Sequence, residues 1–231
     1  MGLVGFDPEL VATSIKNVQS AYDDLIRAIA TDMQSQFVNG MQDKWACADA
    51  QKFFQSFKNV MDILIKDSNN TFQSVVEAMN SAANGWAQQT GGTWANKAFN
   101  RLDKEIDVSS IQENIGGVRG ADPEATSVSG RLASISSSAI SALSAAQSAV
   151  QNCGFIGGSS ASSLISSLGK IKANIESAVN QISNDCQKAI ETTSQTYTNL
   201  DVKISDGFSG GSSSSGAGAP TNTDIRANYI Q

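Results

Sequence analysis

Histidine, the commonest general base near neutral pH and the commonest metal ligand, does not occur in this sequence. Its absence removes any Ser-His or Cys-His nucleophile pair as well. The three cysteines, Cys47, Cys153 and Cys186, lie far apart with no Cys-x-x-Cys spacing. An odd number closes no disulfide framework, so they read as small buried or half-exposed residues. Carboxylates stand close together at Asp23-Asp24 and at Glu105 and Asp107, but neither set has the helical spacing or the partner that a shared acid–base site needs. The paired glycines Gly91-Gly92 and Gly116-Gly117 follow no strand, so they cradle no phosphate. No catalytic, cofactor-binding or metal-binding residue emerges. The expectation is a protein that is not an enzyme and uses no cofactor.

Charge and composition narrow the class further. The net charge is −6, with acidic residues scattered along the chain, which reads as a solvated surface and not as a nucleic-acid interface. No run approaches about 18 apolar residues, so no transmembrane segment is expected. The first residues lack a charged stretch followed by an apolar one, so no Sec signal peptide is expected either. Hydrophobic residues make up 40% but aromatics only 6%, a balance that suits long helices with small contact residues better than a sheet. The 3 prolines, at 8, 123 and 220, leave two long stretches free of helix breakers.

Those stretches predict an all-α fold. Asp7-Pro8-Glu9 supplies an N-cap, a first-turn proline and a first-turn acid. Val11, Ile15, Val18, Tyr22, Leu25, Ile29, Met33 and Phe37 then recur mostly at alternating fours and threes, one stripe of an amphipathic helix that stops around Asn39-Gly40. Beyond Trp45 a second stripe runs from Ala50 to Ala83, with a brief interruption at Asp67-Ser68. Asp122-Pro123-Glu124 restarts the pattern. A third helix carries Val128 to Val150, a turn follows at 152–158, and a fourth helix carries Leu164 to Leu200. Helices are expected near 8–39, 46–84, 123–151 and 159–203, with no sheet. Two cap-and-stripe units imply a duplicated hairpin, and two hairpins can bury together what one leaves wet, as a four-helix bundle. The expected units are a hairpin over 1–87, an ordered glycine-containing connector over 88–121 with room for one short helix around Trp94 to Ile106, a hairpin over 122–206, and a flexible tail over 207–231. Asn228-Tyr229-Ile230-Gln231 offers the tail a segment able to dock.

The turns carry a resemblance. Trp45, in the first turn, is followed by Ala46-Cys47-Ala48-Asp49-Ala50 and then Phe53-Phe54; the second turn holds Phe155-Ile156-Gly157. Both look like the Trp-x-Gly turn of the small helical-hairpin (WXG, ESAT-like) proteins exported by bacterial type VII secretion systems. In that turn an aromatic plugs the open end of the hairpin and a glycine permits the reversal. Cys47 stands where glycine is usual, and Phe155 where tryptophan is usual. Tyr197-Thr198-Asn199-Leu200-Asp201 is similar to the Tyr-x-x-x-Asp/Glu export signal near the end of the second helix in such proteins. On a helix Tyr197 and Asp201 share one face.

The resemblance implies export by a type VII system without a cleaved leader, from the cytoplasm to the outside, with the secretion ATPase as partner. It also allows a toxin or another helical-hairpin protein as partner, so the chain is either a secreted substrate or effector, or the helical companion of a larger one. A structural reading, as a coiled-coil filament or phage assembly component, stands beside these. Family members pair hairpins antiparallel between two chains; here the pairing is expected within one chain, which would bring Trp45 near Tyr197 and Asp201.

Overall fold

Asp7 launches the first helix: its carboxylate accepts the N–H groups of Glu9 and Leu10 at 3.0 and 3.1 Å, two of the donors a helix start leaves unpaired. The structure, a computed structural model, describes residues 7–153 and 159–209, with side chains at 159–160 and 204–209 left aside. Helix one is continuous through α1 (Pro8–Ile26), a π-helical stretch (Arg27–Val38) and a short α-turn, α2 (Asn39–Met41). It is followed by α3 (Ala48–Gln89), α4 (Glu124–Gln151) and α5 (Ser159–Ser209). Asp122 lies one residue further from its helix, with Pro123 at the cap position of α4, and accepts the N–H of Glu124 at 2.7 Å.

The π stretch follows from the spacing of apolar residues. Up to Leu25 the buried stripe alternates fours and threes. From there it steps by four each time, through Leu25, Ile29, Met33, Phe37 and Met41, all fully buried. At 3.6 residues per turn each step of four carries the stripe about 40° around the axis. A wider turn closed by i→i+5 bonds reverses that drift and keeps the stripe against its neighbours.

The four long helices form two antiparallel hairpins packed as a bundle. Helix one lies against α3 and α4, and α5 lies against α4 and α3. The hairpins are antiparallel to one another. Arg131 near the start of α4 donates to the carbonyl of Gln36 near the end of helix one, at 3.1 Å, while Trp45 beyond helix one bonds Thr193 far along α5. The residues expected on the four stripes line the core, with Val60, Leu164 and Ala189 partly buried at its margin. Tyr197 and Leu200 depart from that expectation: Tyr197 is half-buried and Leu200 is 47% exposed.

Three local expectations are corrected. Gly40 does not stop helix one, which runs on through it to Met41. Its missing side chain serves close approach instead, since a Cβ there would sit 2.9 Å from Val128 Cγ1. Ser68 does not interrupt α3, because its hydroxyl bonds back to the carbonyl of Leu64 at 2.7 Å and leaves the helix intact. One small sheet does form: β1 (Trp45–Ala46) pairs antiparallel with β2 (Gly120–Ala121).

The connector forms no helix, and distance explains why. α3 has 42 residues, about 63 Å at 1.5 Å per residue, and the chain must return from its far end to the Trp45 end before α4 begins. Residues 90–119 would cover only about 45 Å as a helix, but about 100 Å when extended. They run extended along the outer groove between helix one and α3, as a strap. Ile106 and Ile111 are buried, and Trp94, Phe99, Leu102 and Val108 lie partly buried on the core. Side chains of the two helices take up the strap's backbone groups. Asn80 accepts from the N–H of Lys97 and donates to its carbonyl, both at 2.8 Å. Gln19 does the same at Asn100 (2.9 and 3.0 Å) and Gln34 at Asp107 (2.8 Å each). At Leu102 the work is split: the Tyr22 hydroxyl accepts from its N–H at 2.6 Å, and Asn69 donates to its carbonyl at 3.3 Å.

Candidate functional site

Trp45 sits where the first hairpin reverses, fully buried. Its ring packs on Phe53 (centroids 5.4 Å apart) and Phe54 (6.0 Å), which in turn touch Phe37 and Phe57. Edge and tilted contacts of this kind are the favoured geometry for aromatic clusters, and this one fills the turn end of the hairpin. The indole N–H donates to Thr193 Oγ1 at 3.2 Å, and that hydroxyl donates to the carbonyl of Ala189 at 2.8 Å. A turn of hairpin one is thereby tied to α5 of hairpin two. The ladder register Trp45 to Ala121, the bond from Asp122 N–H to the Lys44 carbonyl at 2.6 Å, and the Lys44–Glu124 ion pair lock the start of α4 to the same turn. Glu124 beside it raises the pKa of Lys44.

Cys47 explains its own departure from the glycine pattern. Its backbone is extended (φ −170°, ψ 171°), a conformation open to any residue. Its sulfur caps α3 by accepting from the N–H of Ala50 at 3.4 Å, an N-terminal acceptor that glycine could not provide. All three cysteines are buried and carry no disulfide, and burial pushes the Cys186 thiol up to about 12. Such a thiol is not a nucleophile near neutral pH.

Thr193, Tyr197 and Asp201 follow one another at single-turn spacing along α5, and the three form a row leading away from Trp45. Thr193 is buried, Tyr197 half-buried and Asp201 exposed. Desolvation raises the pKa of Tyr197, with Asp49 and Glu113 adding to the effect and Arg119 opposing it. Residues 198–203 are all exposed, more than one full turn of helix, so among the described residues α5 projects from the bundle here. At its root lies an open cleft lined by Asp43, Lys44 and Ala46 from the first turn, Ile115 and Val118 to Pro123 from the connector's end, and Ser194, Tyr197 and Thr198 from α5. Val118 on its rim is 70% exposed, and Val202 on the projecting helix is 53% exposed.

Comparison with protein-family models, curated proteins and solved structures finds no match.

Of the residues singled out in the sequence, Trp45, Tyr197 and Asp201 stand at one end of the molecule, while Phe155 and Gly157 lie outside the described residues, as does 228–231. Sequence reasoning missed Thr193, the hydroxyl that joins Trp45 to the Tyr197 row. It also missed the wall built by Arg119, Gly120 and Ala121. The four-residue spacing of Thr193, Tyr197 and Asp201 was a signal available for the first; the glycine-rich run 116–120 marked a tight turn for the second, but not its neighbour. Among the described residues, no group of three or more cysteines and carboxylates could hold a metal ion, and no helix is long and apolar enough to cross a membrane.

Proposed function

We propose that the chain is a non-enzymatic helical protein exported by a bacterial type VII secretion system, as a secreted substrate or effector or as the helical partner of a larger one. One observation carries this reading: the aromatic turn at Trp45 and the Tyr197/Asp201 row meet at one end of a single chain, where α5 projects beyond the bundle. Two-chain proteins of the family it resembles need a second protein to complete such an end. Here the second hairpin supplies it. An exposed carboxylate one turn beyond a half-buried tyrosine, on the projecting part of a helix, suits a partner surface better than a core. The secretion ATPase is the partner this reading assigns to it.

The test is export into the medium from cells with and without an intact secretion ATPase. Tyr197→Ala and Asp201→Ala should each abolish export while helicity and melting stay close to those of the parent. Trp45 is buried, so Trp45→Ala should lower stability as well as export, whereas Trp45→Phe keeps the plug and should retain most of both. Normal export of the Tyr197 and Asp201 variants, or appearance in the medium without the ATPase, overturns the reading.

A further inference from the structure

The outer groove of hairpin one holds its strap in an unusual way. Four strap residues, Lys97, Asn100, Leu102 and Asp107, have both backbone N–H and carbonyl taken up by helix side chains. A β-strand partner would satisfy the same groups; here amides at Asn80, Gln19, Asn69 and Gln34, with the Tyr22 hydroxyl, stand in for one. These side chains address the main chain, which every residue except proline presents alike. Side-chain selection is left to a few apolar positions. Phe99 meets the Tyr22 ring edge-on at 4.7 Å, and Ile106 and Ile111 are the buried anchors. Most other strap side chains between Trp94 and Ile111 face solvent. Glycines with φ of 74° (Gly91) and of 59° and 87° (Gly116, Gly117) bracket the strap. Two buried anchors over such a length, with the clamps at Asn100 and Asp107 exposed to solvent and those at Lys97 and Leu102 only partly buried, make a segment able to open while the bundle stays folded.

We propose that this groove is a receptor for extended polypeptide, closed in cis by residues 94–111 and able to take an extended segment of a partner chain when the strap lifts. The segment it fits has apolar residues at the spacing of Phe99, Leu102, Ile106 and Ile111, and no proline at the four clamped positions. The strap, tethered at both ends and therefore at high effective concentration, is the competitor that keeps the groove closed. This inference is independent of the export reading.

The test uses the full chain and a fluorescent peptide of residues 94–111 as probe. Ile106→Asp with Ile111→Asp removes the strap's anchors and leaves the four helices unchanged. A second variant carries a protease site between Gly116 and Gly117, cut after purification, and keeps every core residue should the first not melt cooperatively. The peptide should bind either opened chain at least tenfold tighter than the parent. The same peptide N-methylated at Lys97, Asn100, Leu102 and Asp107, which can no longer donate to the clamps, should lose binding. Absence of binding to the cut chain, equal binding to cut and parent chains, or undiminished binding of the N-methylated peptide overturns the proposal.

Discussion

Hairpins one and two begin with the same Asp-Pro-Glu start and carry comparable apolar stripes, yet they are built from different material. Hairpin one packs Phe37, Phe53, Phe54, Phe57 and Phe72 around Trp45 and Tyr22. In hairpin two, α4 contains no aromatic residue, and Ala125, Ala139, Ala142 and Ala146 alternate with Val128, Leu132, Ile135 and Leu143 on its buried face. Its exposed serines bond back to their own helix, as Ser137 does to Ala133 and Ser141 to Ser137. The difference teaches that periodicity decides topology while side-chain size decides spacing. Small residues let α4 come close to both helix one and α5; large ones hold helix one and α3 apart and leave an outer groove that the strap fills.

The sharpest way to break this comparison is to separate the hairpins. Residues 1–90 alone would lose both the α4 face of helix one and the strap, leaving Ile15, Ile29 and their stripe in water. The fragment should self-associate or lose cooperative melting, as read by sedimentation and circular dichroism; a well-folded monomer would show that hairpin one is complete by itself. Next come opposite volume changes. Phe54→Ala should cost about 3–5 kcal/mol in urea unfolding, whereas at the small-residue seam the damage should come from added volume, Ala139→Leu costing about 1–3 kcal/mol. Near-neutral outcomes would mean that the two cores tolerate volume alike.

Tyr22→Phe leaves the ring in place but takes the hydroxyl from Leu102 and Asn69, and should cost about 1–2 kcal/mol. Hydrogen exchange should quicken at Leu102 and its strap neighbours more than in α4. Gly40 offers a smaller effect with a diagnostic sign. Gly40→Ala should destabilise by about 1 kcal/mol, because the new Cβ meets Val128 and that clash outweighs the gain in helix propensity. In a Val128→Ala background the same change should stabilise. Titration of Cys186 adds an effect that is absent at neutral pH and appears only in alkali. Its thiol pKa is raised from 9.0 to about 12 by burial, so the neutral form favours the fold. That contribution is complete below pH 9 and is lost as pH rises from about 9 towards 12. Cys186→Ala should flatten this part of an alkaline stability profile.

Much of the hairpin architecture was legible because it rests on short-range rules. Asp7 caps its helix in the way its neighbour Pro8 implies, Asp122 accepts the first N–H of α4, and Val11 to Phe37 face the core at the spacing they show in sequence. The π stretch was written in the run of fours from Leu25 to Met41, and the extended connector in its length: too few residues to return along α3 as a helix. Both needed the spacing to be read as geometry. The candidate end was legible only in part. Tyr197 and Asp201 stand out as a pair on one helix, but that Trp45 is buried, and tied to Thr193 across 148 positions of sequence, depends on how the hairpins stack.

What the sequence by itself determined was the set of helices, their starts and their buried faces, since caps and periodic stripes act over a few residues. Only the tertiary structure decided that the amides of Gln19, Gln34, Asn69 and Asn80 would hold a strap's backbone, that Gly40 would give room to Val128, and that Cys47 would serve as a cap. Those outcomes depend on groups remote in sequence meeting within about 3 Å, a condition that local pattern does not encode and packing of the whole chain does.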